Sequence, residues 1–369
     1  MEKVEDYGLD VHCTMILEEY REQLPAFQKM EEIVMAQLKK CLAENNILVT
    51  AIEGRIKKEE SLAGKLELKG SKYTTLTDLT DIFGARIITF YNDDVDKISA
   101  LMEKLFEIDW KNSVDKRRMH QLDSFGYLSL HYICKIPKAL YHDENTPELN
   151  EFRFELQMRT ALQHVWANMY HDIGYKSGID APIEHLRTLN RLAGMLELAD
   201  DEFSRIRNTI NEYRYKVEAL VKDGKFEQVN LDGDSFTRYL QLEPFKRLTN
   251  KIAAINQAEI HQTPMTPFLK VLIKLGFQTL GDVEKLKHDY SDEAYQLALH
   301  QIGGTDIDIV ASNIGLQNLC IVYQLKTGVG VHGLTKFFDT LYGTSPYNVN
   351  RAQNLLEQAK HFPFMKNEK

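Results

Sequence analysis

The sequence predicts an α+β fold, with a mixed β-sheet flanked by helices followed by an all-helical C-terminal domain. Two observations carry that expectation. Over the first two thirds of the chain, short runs of period-two alternation are separated by runs of helical period, as in a layered domain. Beyond the turn Lys222-Asp223-Gly224-Lys225 the alternation fades, and short helical stretches punctuated by Gly, Pro and Asn take over. With 369 residues, 43% of them hydrophobic, the chain is long enough for two domains with separate cores. The expected division is residues 1–224 and residues 225–369.

The elements follow in order. From Val11 to Asn45 the apolar residues Ile16, Leu17, Tyr20, Leu24, Phe27, Met30, Ile33, Val34, Leu38 and Leu42 recur at helical spacing, which predicts one or two amphipathic helices. Ile47 to Lys57 reads as a strand and Glu59 to Leu68 as a helix ending near Gly70. Ala85 to Tyr91 is the second strand, Val95 to Phe106 a helix, and Gly126 to Ile136 the third strand. The fourth strand, Phe152 to Arg159, alternates without a break. Phe152, Phe154, Leu156 and Met158 share one face, and Arg153, Glu155, Gln157 and Arg159 share the other. Thr160 is placed to cap the next helix, whose apolar stripe is Leu162, Val165, Trp166, Met169 and Ile173. A long helical stretch, Ile183 to Val221, leads to the turn at Lys222. In the tail, the run Asn318 to Tyr323 fits a strand or a helix equally.

Composition narrows the classes. No run of about 18 apolar residues occurs, and the segment Met1 to Asp6 is charged where a signal peptide needs an apolar core, so a cytoplasmic protein without membrane spans is expected. Cys13, Cys41, Cys134 and Cys320 lie far apart and form no CxxC pair, which signals neither a disulfide framework nor a zinc site. A net charge of -9 argues against broad nucleic-acid binding but leaves room for a local basic groove.

Polar clusters stand out against this background. Arg55 and Lys57 leave the first strand, and Ser61 and Lys65 share a face of the following helix, a group suited to a polyphosphate or, by spacing alone, to a solvated charged face. Asp81 sits just ahead of the second strand, where a carboxylate either reaches a divalent metal or ends a turn. Tyr127, Ser129 and His131 alternate onto one strand face behind the basic Lys116-Arg117-Arg118; Tyr127 beside Gly126 can stack on a base or satisfy its hydroxyl at a core edge. On the fourth strand, a carboxylate between two arginines with an amide beside it suits phosphates and a metal ion. His171, on the polar face of the next helix, is a phosphate contact or a surface residue.

Taken in order, these clusters resemble the synthetase domain of the RelA/SpoT family of alarmone synthetases. The matching series is Arg55-x-Lys57-x-x-x-Ser61-x-x-x-Lys65, then Asp81-Ile82-x-Gly84-x-Arg86-Ile87, then Gly126-Tyr127-x-Ser129-Leu130-His131, then Glu155-x-Gln157-x-Arg159-Thr160, and finally Trp166-Ala167, His171 and Tyr175-Lys176. It spans residues 10–220. The resemblance implies a nucleotidyltransferase-like sheet and Mg²⁺-dependent transfer of the β,γ-pyrophosphate of ATP to the 3′ hydroxyl of GDP or GTP, making ppGpp or pppGpp and AMP in the stringent response. It further implies that Arg55, Lys57, Ser61 and Lys65 bind ATP. Asp81 and Glu155 would hold Mg²⁺, with Glu155 also the base. Tyr127, His131, Gln157 and His171 would contact the acceptor. Assembly through C-terminal helices, hence a homo-oligomer, is also implied.

The stretch Ser113 to Phe125 departs from the Lys-Asp-Tyr-Ile and Pro-Lys-Pro-Asn pattern usual in the family. The resemblance implies that this loop helps shape the acceptor pocket, and two rivals accompany the main expectation. One is a toxin that pyrophosphorylates the 3′ end of tRNA, with Lys116, Arg117 and Arg118 on the RNA backbone. The other is a non-catalytic module that senses guanosine nucleotides and whose helical tail binds a partner. A His-Asp hydrolase domain and ribosome-binding regulatory domains are not recognised in the sequence.

Overall fold

A computed structural model describes residues 7–115, 129–175 and 183–365. These divide into two compact units, Met1–Asn208 and Thr209–Lys369. The division falls inside a long helix, ahead of the Lys222–Lys225 turn at which that helix ends.

The first unit opens with α1, Val11–Glu44, a single helix carrying Pro25 in its interior and capped by the Asp10 carboxylate on the Cys13 N–H at 2.7 Å. Its buried stripe runs from Cys13 to Leu42 and rests on the sheet. The strands are β1 (Val49–Ile56), β2 (Phe83–Thr89), β3 (Glu107–Ile108), β4 (Val114–Asp115), β5 (Leu130–Lys135) and β6 (Phe154–Thr160). They lie in the order β1-β2-β6-β5-β3, with β4 also on β5. β2 and β6 run parallel and the other pairs antiparallel, so the sheet is mixed as expected. Sequence patterning missed β3 and β4, because two residues are too few to display a period.

Helices α2 (Glu59–Lys69) and α3 (Asn92–Leu105) alternate with these strands. The apolar face of the sheet includes Phe83, Ala85 and Ile87 from β2, Phe154, Leu156 and Met158 from β6, and Leu130 and Cys134 from β5, each no more than 2% exposed. The Phe27 and Phe152 rings stack at 4.6 Å, and Phe106 meets Phe154 edge-on at 5.2 Å, fixing which face turns inward.

Thr160 caps α4 (Ala161–Tyr175) reciprocally: its Oγ1 accepts from the Gln163 N–H at 3.1 Å, and its own N–H donates to Gln163 Oε1 at 2.9 Å. Trp166 is buried, packed with Leu189 and Ala193 of α5, the 40-residue helix Ile183–Lys222. The Thr160 hydroxyl also donates to Asp200 Oδ2 at 2.5 Å. Burial, with the neighbouring Asp201, pushes the Asp200 carboxyl up to about 7. The folded state therefore keeps a proton that an unfolded chain loses near pH 4, and stability declines as pH rises from about 4 to about 7. Asp200→Asn is expected to melt several degrees higher than wild type at pH 7.5 and level with it at pH 4.5. Equal melting temperatures at both values would dismiss the strained carboxyl.

The second unit holds the end of α5, then α6 (Gly233–Leu240), α7 (Lys246–Ala253), α8 (Phe268–Lys274), α9 (Leu280–Ile302), α10 (Ile314–Lys326), α11 (Val331–Tyr342) and α12 (Pro346–Ala359). Tyr239, Phe245, Leu272, Leu319 and Phe338 are among its core. The unit is helical but not strictly all-helical. β7 (Glu259–His261) and β8 (Ile309–Ala311) form a parallel pair, again too short to reveal a period. The ambiguous run Asn318 to Tyr323 is helical, within α10. Leu319, Cys320, Ile321 and Val322 are each at most 1% exposed, and burial all round erases the pattern that would have marked a helix. Among the described residues, no helix is long and apolar enough to cross a membrane, and all the cysteines are free thiols.

Candidate active site

Strand register builds the polar face of the sheet in rows. Arg55, Gly84 and Glu155 lie side by side across β1, β2 and β6, and Glu53, Arg86, Gln157 and His131 form the next row. The rows floor a cleft of about 390 Å³ lined by Arg55, Lys57, Asp81, Arg86, Glu155 and Gln157, among others. Gly84 leaves the floor bare between Arg55 and Glu155. A Cβ there would meet nothing closer than backbone oxygens at 3.9 and 4.0 Å, so the glycine keeps open space beside the carboxylate rather than preventing a clash.

Asp81 precedes β2 and receives two ammonium groups. Lys57 Nζ donates to Oδ2 and Lys65 Nζ to Oδ1 at 2.7 Å. Burial pushes the Asp81 carboxyl upward, but the two lysines outweigh it and hold it below the usual carboxylate range. The Lys65 ammonium, though burial opposes it, is held above its ordinary value by the same pairing. Glu155 is gripped at both oxygens: His131 Nδ1 lies 2.7 Å from Oε1, and Gln157 Nε2 donates to Oε2 at 2.9 Å. Burial and the facing Asp81 charge push the Glu155 carboxyl up, and the bonds from His131 and Gln157 bring it below its usual value. Both carboxylates are therefore ionised at neutral pH. That Asp81 raises Glu155 means that the two negative charges feel each other across the cleft.

Other predicted residues are distributed differently. Ser61 is exposed on α2, and His171 is exposed on α4; neither is among the described lining residues of the cleft. Tyr127 and the basic Lys116-Arg117-Arg118 lie outside the described residues. The two arginines flanking Glu155 on its strand face diverge. Arg153 is drawn away to Asp109 Oδ2 at 2.8 Å and the Thr77 carbonyl at 2.9 Å. Arg159 is 5% exposed, its Nε without a hydrogen-bond partner, and burial together with the nearby Arg86 charge lowers its guanidinium to about 10.

Sequence reasoning left Glu53, Arg86 and Ser129 off the site. Arg86 stood inside the quoted Asp81 motif, and it joins Glu53 (Nη1 to Oε2, 3.0 Å) to Gln157 (Nε to Oε1, 3.3 Å). Glu53 had one usable signal, being two residues before Arg55 and so on the same strand face. The donor set fits a hard divalent ion bound through one or two carboxylates plus phosphate oxygens and water: two ionised carboxylates face one cleft beside cations able to neutralise phosphate. Among the described residues no group of three or more potential metal-ligating side chains occurs, so an ion here would depend on its substrate for further ligands.

Residues 54–180 match the family described as "Region found in RelA / SpoT proteins". The GTP pyrophosphokinase YwaC of Bacillus subtilis (strain 168) is 27% identical over 165 residues, covering 43% of this chain and 74% of that protein. The GTP pyrophosphokinase YjbM of the same organism is 27% identical over 162 residues, 44% of this chain and 73% of that one. Among solved structures, the small alarmone synthetase 1 from Bacillus subtilis bound to its product pppGpp aligns with a TM-score of 0.45 at 23% identity, covering 53% of this chain and 99% of that one.

Proposed function

We propose, from the match of residues 54–180 to the region found in RelA / SpoT proteins and the similarity to two GTP pyrophosphokinases, that this chain transfers the β,γ-pyrophosphate of ATP to the 3′ hydroxyl of GDP or GTP. The observation that carries the reading is the pairing of Asp81 and Glu155 in one cleft, with Lys57 and Lys65 already gathered on Asp81. Attack at the β-phosphorus needs neutralised phosphate charge, an aligned nucleophile and a proton acceptor. Arg55, Lys57 and Lys65 bind the polyphosphate. Asp81 and Glu155 would hold Mg²⁺, which would supply neutralisation of phosphate oxygens. Lys57 and Lys65, now paired with Asp81, would be the cations that meet the phosphates. Glu155 takes the proton from the ribose hydroxyl, and Gln157 fixes the carboxylate that does so. Tyr127 stacks on the acceptor base.

A single assay tests this. Purified protein with β-labelled ATP and Mg²⁺ is offered GDP, GTP, ATP and bulk tRNA in parallel. AMP and a 3′-pyrophosphorylated guanosine nucleotide are expected, lost on chelation and regained with added Mg²⁺. Label on tRNA alone would replace the reading with the toxin, and guanosine-nucleotide binding without turnover would replace it with the sensing module. We also propose a homo-oligomer, supported by the apolar side chains of Leu192, Met195 and Leu198, each at least 46% exposed on α5. A monomeric mass by light scattering would end that proposal.

A further inference from the structure

Behind Glu155 lies a chain of side chains that the proposed reaction does not by itself call for. Ser129 and His131 stand two residues apart and so face the same way, and Glu155 lies diagonally across the β5–β6 pair from His131. Ser129 Oγ is 2.6 Å from His131 Nε2, and His131 Nδ1 is 2.7 Å from Glu155 Oε1.

Chemistry orders the protons along this chain. An ionised carboxylate only accepts, so the ring proton sits on Nδ1. A neutral ring then offers Nε2 as an acceptor, and the Ser129 hydroxyl donates to it. Both ring nitrogens are thus occupied within the protein, and neither is left for the acceptor contact that the sequence led us to expect of His131. Serine, histidine and carboxylate also occur in this order where the serine is a nucleophile. Ser129 is only 8% exposed, which suits a donor buried behind the ring rather than an attacking group.

We infer that Ser129 and His131 are positioning residues for Glu155. Glu155 sets the Nδ1–H tautomer, Ser129 braces the ring at Nε2, His131 pins Oε1, and Gln157 pins Oε2 from the other side at 2.9 Å. The carboxylate is held in one orientation, with its remaining lone pairs turned to the cleft. Loss of the pin leaves Glu155 able to rotate, and misplacement by about 1 Å costs on the order of 100-fold in rate. The inference rests on the reading of Glu155 as the base, and its test has an arm that is independent of turnover.

In ¹⁵N-labelled wild-type protein, observed at a pH where the ring is neutral, His131 should carry its proton on Nδ1, with Nε2 unprotonated. A neutral ring protonated on Nε2 overturns the inference whatever the enzyme does. In turnover, His131→Leu should lower kcat roughly 10- to 100-fold with KM for both substrates within about threefold. His131→Asn places an amide N–H near the position of Nδ1 and should recover most of the loss. Ser129→Ala should lower kcat less, with the ring proton still on Nδ1, because the Glu155 carboxylate remains its acceptor. A raised acceptor KM with kcat preserved in His131→Leu, or no recovery in His131→Asn, would make the histidine a substrate ligand or a mere packing group. Absence of transfer by wild-type protein would defeat the pyrophosphate reading while leaving the tautomer result standing.

Discussion

Glu155→Gln is expected to lower kcat by roughly 1000-fold or more, because one substitution removes both the proton acceptor and a metal ligand. The fold should survive. Gln has nearly the volume of Glu, and its amide oxygen can still accept from His131 Nδ1–H. The amide nitrogen then faces Gln157 Nε2, a donor-donor conflict relieved if Gln157 flips. That flip turns its nitrogen toward Arg86 Nε, now 3.3 Å from the Gln157 oxygen, so the conflict moves to the weakest bond of the row. About 1 kcal/mol of stability is the scale of such a loss. Turnover with saturating substrates, beside a thermal melt of the same preparation, is the check. Activity within a few-fold of wild type would refute Glu155 as base and metal ligand together.

Asp81→Asn should abolish transfer by a different route. The carboxylate that now balances Lys57 and Lys65 disappears, leaving two ammonium groups 25% exposed or less around a neutral amide. Their mutual repulsion rises, and the facing charge that pushes Glu155 upward is removed as well. Turnover is expected to fall at least about 100-fold, with a much higher Mg²⁺ concentration needed for what remains. ATP affinity measured without metal should hold or improve, since Lys57 and Lys65 no longer have to leave Asp81 to meet phosphate. Weaker metal-free ATP binding, with an unchanged Mg²⁺ requirement, would show that Asp81 arranges the lysines rather than the ion.

Several of these residues were legible from alternation alone. The β6 pattern identified its buried and polar faces, and the observed core confirms Phe152, Phe154, Leu156 and Met158 as the inward set. Arg55, Lys57, Asp81, Glu155 and Gln157 were named from ordered spacing, and the cleft brings them together. Arg153 and Arg159 mark where the pattern runs out. Period two puts both beside Glu155, yet their partners come from elsewhere: Arg153 meets Asp109, and Arg159 is covered over at the far end of the sheet, where α4 begins. Nothing within either residue's own strand distinguishes them. Ser129 and His131 were read as a shared face, but that they lean on Glu155 depends on the pairing of β5 with β6.

The sequence by itself determined which residues could turn inward, where the chain turns, and which charged groups gather in each stretch. Those properties are local, set by side-chain period and turn chemistry over a few residues. Only the tertiary structure decided which strands became neighbours and hence which charges meet. Register places Glu155 of β6 beside Gly84 of β2 and diagonal to His131 of β5. A slip of one residue would exchange the two faces of β6 and bury the carboxylate that the proposed reaction requires. Apolar packing against α1 and α3 holds that register, so the core residues opposite Glu155 keep its carboxylate facing the cleft.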